Sequence, residues 1–245
     1  MASFILIHGS WHGGWCFDGV KALLEAQGHE VIAPDLPGMG GDEEQLRAVT
    51  LAGWGAFTAG HCRSASQHPV VLAGHSRGGM VIGEAAEQAP EAIDALVYIC
   101  ALMLPDGMSR GAFKELEEPT PAFDEMIIPI HDDAGTLVDP TLAPAVFAQL
   151  SPPEQVAAAM ERLVAEPKGP RNTPMQLTPQ RFGRIPRTYI ECTEDRTIPL
   201  SSQRLMQDLV PGAAVVSLAA DHSPFLSAPR ALADALLAVA AKVSS

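Results

Sequence analysis

The chain is 245 residues long, which leaves room for two small domains or one large α/β unit, with a sizeable core in either case. At 47% hydrophobic and 18% charged, its composition excludes an intrinsically disordered chain and a coiled coil. The net charge of −13 would repel a phosphate backbone over most of the surface, which argues against nucleic acid as a partner.

Phe4 to Ile7 is a continuous apolar run, as expected of a strand buried on both faces of a parallel sheet. It runs into a glycine-rich loop, His8-Gly9-Ser10-Trp11-His12-Gly13-Gly14. Val20, Leu23 and Leu24 follow at helical spacing, Gly28 reads as a stop, and His29 to Ala33 as a second strand ending at Pro34. Thr50 reads as the cap of a helix running to about Ser66. Val70 to Ala73 is a third strand and leads directly into Gly74-His75-Ser76-Arg77-Gly78-Gly79, after which a helix runs to Ala89. Ile93 to Ala101 is a fourth strand.

The alternation then breaks. Residues 106–183 hold eleven prolines, and residues 101–166 carry twelve acids against three bases, with helical patches expected near 112–117 and 153–165. Regular order resumes with strands at Thr188 to Cys192 and Ala214 to Leu218, a helix at Leu200 to Leu209 between them, and a last helix capped by Ser227 with Pro229 in its first turn. Strands alternating with helices predict a six-stranded, mostly parallel, doubly wound sheet. On this reading residues 1–105 and 184–245 form one α/β core, and 106–183 is a helical cap inserted after the fourth strand. The chain enters its first strand without a basic leader, and no apolar run reaches the roughly 18 residues of a membrane span. The expectation is a soluble cytoplasmic protein, monomer or homodimer, with no membrane partner. Cys16, Cys62, Cys100 and Cys192 are widely spaced, which signals neither a disulfide framework nor a metal site.

Gly74-x-Ser76-x-Gly78 stands between a buried strand and a helix, the context a nucleophile elbow requires. A serine hydroxyl needs an adjacent base. His222 follows the sixth strand and so reaches the same sheet edge, as does Asp195 after the fifth, which can fix the imidazole's tautomer. Glu194 and Asp106 are the rival carboxylates, and Asp221 reads as a turn former. Of the other histidines, His8 and His12 hold the first loop in shape, His75 points away from the nucleophile, and His29, His61, His68 and His131 are surface or turn residues. The N–H groups of Arg77 and Ser10 are the candidate oxyanion donors. The Arg77 guanidinium is expected either to pair with an acid or to reach toward a substrate.

His8 through Trp15, Leu23-Leu24-Glu25 with Gly28-His29, the elbow, and Cys192-Thr193-Glu194-Asp195 with Ile198-Pro199 resemble the plant methylesterase and hydroxynitrile lyase family of α/β-hydrolases. Bacterial esterases that cleave pyrethroids and carbamates are similar. The match covers roughly residues 3–105 and 182–243. It implies the α/β-hydrolase fold and a serine carboxylesterase that needs no cofactor, acting on a small-molecule ester. The resemblance also separates the two reactions of the family. The lyases carry a threonine after the first-strand histidine and a lysine after the catalytic histidine; here those positions are Gly9 and Ser223, which favours ester hydrolysis. A binding-only receptor is the third possibility, opposed by the complete Ser, His, Asp set. Trp11, Leu102, Met103, Phe123, Met126 and Phe147 are candidates for the pocket wall. The scarcity of bases in the cap argues for a neutral aromatic or heteroaromatic ester, or a methyl carbamate.

Overall fold

Alternation along the strands explains how one sheet buries two cores. In the computed structural model, which describes residues 1–244, Ser3–Ile7 forms β1, and all five residues are buried. Ile5 and Ile7 face one side with Leu72, Tyr98 and Tyr189; Phe4 and Leu6 face the other with Val71, Val97 and Ile190. The first side is covered by helices Leu51–Arg63 and Gly78–Gln88 through Trp54, Met80 and Ile82. Helices Asp18–Glu25 and Pro229–Val243 cover the second through Val20, Leu24, Leu232 and Leu236. Each large apolar side chain so buried contributes about 1.5–3 kcal/mol, which is why runs such as Phe4 to Ile7 need no polar alternation.

The remaining strands are β2 (Glu30–Ile32), β3 (Val70–His75), β4 (Ala95–Ile99), β5 (Ile127–Ile130), β6 (Gly135–Val138), β7 (Glu166–Pro167), β8 (Arg187–Cys192) and β9 (Ala214–Leu218). The main sheet has the order β2-β1-β3-β4-β8-β9, and every pairing in it is parallel. Parallel register brings the C-terminal ends of β1, β3, β8 and β9 to one edge: Ile7 pairs with Gly74, and Cys192 with Leu218. The loops that leave this edge carry the site.

The structure corrects four expectations. The fourth strand is shorter, Ala95–Ile99, because Cys100 takes φ +35° and ends the extended run. The last helix starts at Pro229 as expected, but Ser227 does not cap it. Ser227 closes the short helix Pro224–Ser227, and its hydroxyl donates to Asp221 Oδ1 at 2.8 Å. The helices near 112–117 and 153–165 are Arg110–Lys114 and Pro153–Met160. The second stops early because the chain turns back to the first loop, where Val164 N–H bonds Trp11 O at 2.9 Å.

The insertion is also not purely helical. It contains the three-stranded antiparallel sheet β5-β6-β7. The β5–β6 hairpin turns through His131, Asp132 and Asp133, all with positive φ, and Pro129 is tolerated because β5 is an edge strand. A separate small core of Phe123, Met126, Val138, Val146, Phe147 and Val156 holds this region together, and Trp11 from the first loop packs into it.

Candidate active site

Ser76 follows the last residue of β3 with φ +53°, a conformation strained for a side-chain-bearing residue, so its hydroxyl is lifted above the sheet edge. The elbow is possible only because glycine flanks it. A Cβ at Gly74 would lie 2.5 Å from Gly78 O, and one at Gly78 would lie 2.6 Å from Ile7 O.

The structure brings the three residues picked from the sequence into one hydrogen-bonded chain. Ser76 Oγ lies 3.0 Å from His222 Nε2, and His222 Nδ1 lies 2.7 Å from Asp195 Oδ2. The carboxylate can only accept, so Nδ1 carries the proton and Nε2 is left to accept from the serine. Asp195 is held in turn: its Oδ1 accepts from Thr197 N–H at 2.7 Å and Ile198 N–H at 2.9 Å. The loop carrying it is fixed by buried Gln203, which bonds both Cys192 N–H and Ile198 O. Of the rival carboxylates, Glu194 is outside this chain, with a carboxylate contact only from Thr193 Oγ1, and Asp106 instead accepts from Leu177 N–H.

The neighbouring histidines are fixed as neutral rings. His75 Nε2–H donates to His222 O at 2.7 Å, so His75 supports the base from below, and burial beside His222 and His12 pushes its pKa well down. His8 donates from Nδ1 to Gly9 O and accepts Leu36 N–H at Nε2; His12 donates from Nδ1 to Ser10 O. Burial lowers both to about 4. The loop-shaping reading of these two agrees with those bonds. His75, Cys100 and His222 offer nitrogen and sulfur atoms within 4.8 Å of one another, the one such metal-capable group among the described residues. Both nitrogens of His222 are already engaged and burial raises the Cys100 thiol well above its usual range, so the donor set is poorly suited to an ion. All four cysteines are free and buried, with Cys62 pushed up to about 12 by burial.

A narrow cleft, with a cavity volume of about 40 Å³, opens over Ser76. It is lined by Ser10, Trp11, Arg77, Leu102 and Phe123, together with Arg110, Glu166, Arg171, Thr197 and Ile198. Trp11, Leu102 and Phe123 are therefore where the sequence reading put them. Met103, Met126 and Phe147 are not on the wall. Met103 is buried in the sheet core, Met126 in the insertion's core, and Phe147 backs the wall by stacking on Trp11 at 5.8 Å. The backbone N–H groups of Ser10 and Arg77 have no partner among the described residues, and both residues line the cleft beside Ser76.

Arg77 turns its guanidinium away from the backbone chemistry. Nη1 lies 2.5 Å from Glu166 Oε1 on β7, both side chains are buried, and the guanidinium stacks 4.3 Å over Trp54. The acid partner lies 89 residues along the chain, in the segment where resemblance fades, so no local signal could name it. Asp221 was underread for the same reason. Beyond its turn contact to Ser223 N–H at 3.0 Å, its buried carboxylate accepts from Leu150 N–H at 2.8 Å and Ser151 Oγ at 3.1 Å, tying the insertion to the histidine loop.

A strand-turn-helix serine, a histidine and a carboxylate on the loops of a parallel sheet define a hydrolase fold and site of the α/β class. The chain belongs to the alpha/beta hydrolase family, whose model matches residues 4–235. Among curated relatives, it is 34% identical to salicylic acid-binding protein 2 of Nicotiana tabacum, covering 98% of this chain and 97% of that one. It is also 34% identical to the pyrethroid hydrolase of Sphingobium wenxiniae, covering 96% and 86%. Among solved structures, a pyrethroid hydrolase from Sphingobium faniae superposes with a TM-score of 0.88 at 34% identity, covering 98% and 97% of the two chains. The chain is 31% identical to methylesterase 1 of Arabidopsis thaliana, covering 98% of this chain and 96% of that one.

Proposed function

We propose that this protein is a serine carboxylesterase that cleaves a small aromatic or heteroaromatic ester, or a methyl carbamate, through an acyl-enzyme on Ser76. The observation that carries this reading is the unbroken bond chain from Ser76 through His222 to Asp195 beneath a cleft with two unpartnered N–H groups. Ser76 Oγ attacks the carbonyl carbon as its proton passes to His222 Nε2. Asp195 stabilises the imidazolium, and the N–H groups of Ser10 and Arg77 receive the oxyanion. Collapse expels the alcohol, which takes the proton from His222; water then attacks the acyl carbon with the same histidine as base, releasing the acid. No cofactor enters these steps.

The relatives' names support the substrate class: a pyrethroid hydrolase, methylesterases and a protein that binds salicylic acid. Trp11 and Phe123, with ring centroids 6.0 Å apart, supply an aromatic wall suited to such groups. Lyase chemistry is disfavoured by space as well as by residue type. A Cβ at Gly9 would lie 2.7 Å from Ser76 Cβ, so the threonine that lyases use there has no room. On this reading residues 106–183 act as a cap over a core of 1–105 and 184–245, and four free thiols fit a cytoplasmic setting. No described helix is long and apolar enough to cross a membrane.

The test is a panel of methyl aryl esters, pyrethroids, methyl carbamates and mandelonitrile with product identification. A fluorophosphonate label is expected on Ser76. Ser76→Ala should abolish labelling and lower kcat by about 10⁴–10⁶. Full activity in that variant, or cyanide release without ester turnover, overturns the reading.

A further inference from the structure

Three arginines converge on the cleft over Ser76, and only two of them are neutralised. Arg77 pairs with Glu166 at 2.5 Å. Arg110, 7% exposed, pairs through Nη2 with buried Glu117 at 2.5 Å, while its Nη1 is buried with no acceptor. The next charges out, Lys114 and Asp124, pair with each other. Arg171 lines the same cleft, is partly buried, and makes no side-chain hydrogen bond or ion pair among the described residues. Its charge acts unfavourably on both Arg77 and Arg110, against the favourable fields of Glu166 on the first and of Glu117 and Asp124 on the second. Of the three guanidiniums, that of Arg171 alone has no direct counter-charge among the described residues, in a chain whose net charge is −13.

We infer that the cleft is a subsite for a single anionic group on the substrate, so that the ester cleaved is one whose aromatic acid part also carries a free carboxylate. The inference rests on the esterase reading of Ser76 and gives its substrate class. A carboxylate between Arg171 and Arg110 would accept from planar donors in a partly dry site, where charge-assisted bonds are strongest. Trp11 and Phe123 would flank the ring, and Ser76 would meet the ester at the other end. The scarcity of bases in the insertion suggests a neutral substrate only while their positions are unknown. Two of them, with Arg77, meet at one place. A single surplus charge also fits one anion and not several.

The experiment compares monomethyl terephthalate and monomethyl isophthalate with their carbamoyl analogues, methyl 4- and 3-carbamoylbenzoate, which keep the shape and remove the charge. The wild-type protein is expected to favour at least one carboxylate ester by about tenfold or more in kcat/KM, mostly through KM, with the preference shrinking as salt rises. Arg171→Gln should collapse that ratio; because a ratio is read, general damage to the enzyme cancels. Calorimetry on the Ser76→Ala protein reads the same preference as binding, without chemistry. Equal turnover and equal binding of charged and carbamoyl esters overturn the subsite and leave the esterase standing. Preferential binding of the carboxylate with no ester of either kind cleaved by the wild type upholds the subsite and overturns the esterase.

Discussion

On the sheet edge, Ser76 and Asp195 follow the buried strands β3 and β8, and His222 follows the exposed edge strand β9, so for the histidine it is the buried hydrogen bonds to Ser76 and Asp195 that set its position. In the insertion the packed core is a small group around Phe123, Phe147 and Val156, and much of the order comes instead from polar ties that reach into the core. Glu166 pairs with Arg77, Trp11 Nε1–H donates to Thr136 O at 3.2 Å, and Leu150 N–H donates to Asp221. The first region rests on apolar burial, which tolerates volume-conserving exchanges without moving the site. The second changes its lining when a single charge moves, as the buried Arg77–Glu166 pair shows.

The comparison implies that damage to the Ser76–His222–Asp195 chain is chemical, whereas damage to the polar ties that seat the insertion is structural. Asp195→Asn tests the first half. The side chain keeps its shape but can present an N–H to His222, favouring the wrong tautomer, and kcat is expected to fall by about 10³–10⁴ with little change in melting temperature. A parallel fall in melting temperature would show that the edge is not chemically separable from the core.

Glu166→Ala tests the second half. It leaves the Arg77 guanidinium buried without its counter-charge, and about 3–5 kcal/mol of stability should be lost in denaturant titration. Replacing both partners, Glu166→Leu with Arg77→Met, should recover most of that loss, because two apolar side chains close in volume to the originals carry no unpaired charge and leave no large cavity. Failure of the double variant to recover would mean that the pair specifies how the insertion seats on the core.

Legibility in the sequence follows the same division. Strand runs such as Val70 to Ala73 announce themselves because burial on both faces demands continuous apolar residues, and the Ser76 elbow is visible because its glycines are sterically required. Asp195 and His222 could be placed because each lies in the short loop that follows a strand, β8 ending at Cys192 and β9 at Leu218. The β5–β6 hairpin stayed hidden: Pro129 argues against a strand, and its turn uses His131, Asp132 and Asp133 where glycine or asparagine would be the usual sign. Met103, Met126 and Phe147 were misplaced because an apolar residue in such a segment can face a core or a cleft with the same sequence signature. Arg77 with Glu166, and Asp221 with Leu150, are contacts between distant segments, set by tertiary packing alone.

Acid should loosen the first loop, which joins the two regions. His8 and His12 are buried and neutral, with folded values of about 4 against an ordinary 6.5. Between those values the unfolded chain binds more protons than the folded one, so this stability is fully present above pH 6.5 and is lost as pH falls toward 4. Each histidine accounts for roughly 3 kcal/mol across that window. Denaturant midpoints measured from pH 7 to pH 4 should fall, and a His12→Asn variant should flatten the slope. A midpoint independent of pH in that range would show that neither ring is held neutral by burial.

The smallest expected effect is at Asp221, where the two regions meet. Asp221→Asn turns an N–H₂ toward donors that now find an acceptor, opposing either Leu150 N–H and Ser151 Oγ or Ser223 N–H and Ser227 Oγ. A global loss of about 2 kcal/mol is expected from the unsatisfied bonds. If the insertion is tied down as argued, the local effect is larger than the global one. Limited proteolysis should cut within residues 106–183 at denaturant concentrations that leave amide-exchange protection of the buried strands β3 and β4 unchanged. Loss of both signals together would mean that the insertion and the core unfold as one unit, and that Asp221 ties together the halves of a single cooperative structure.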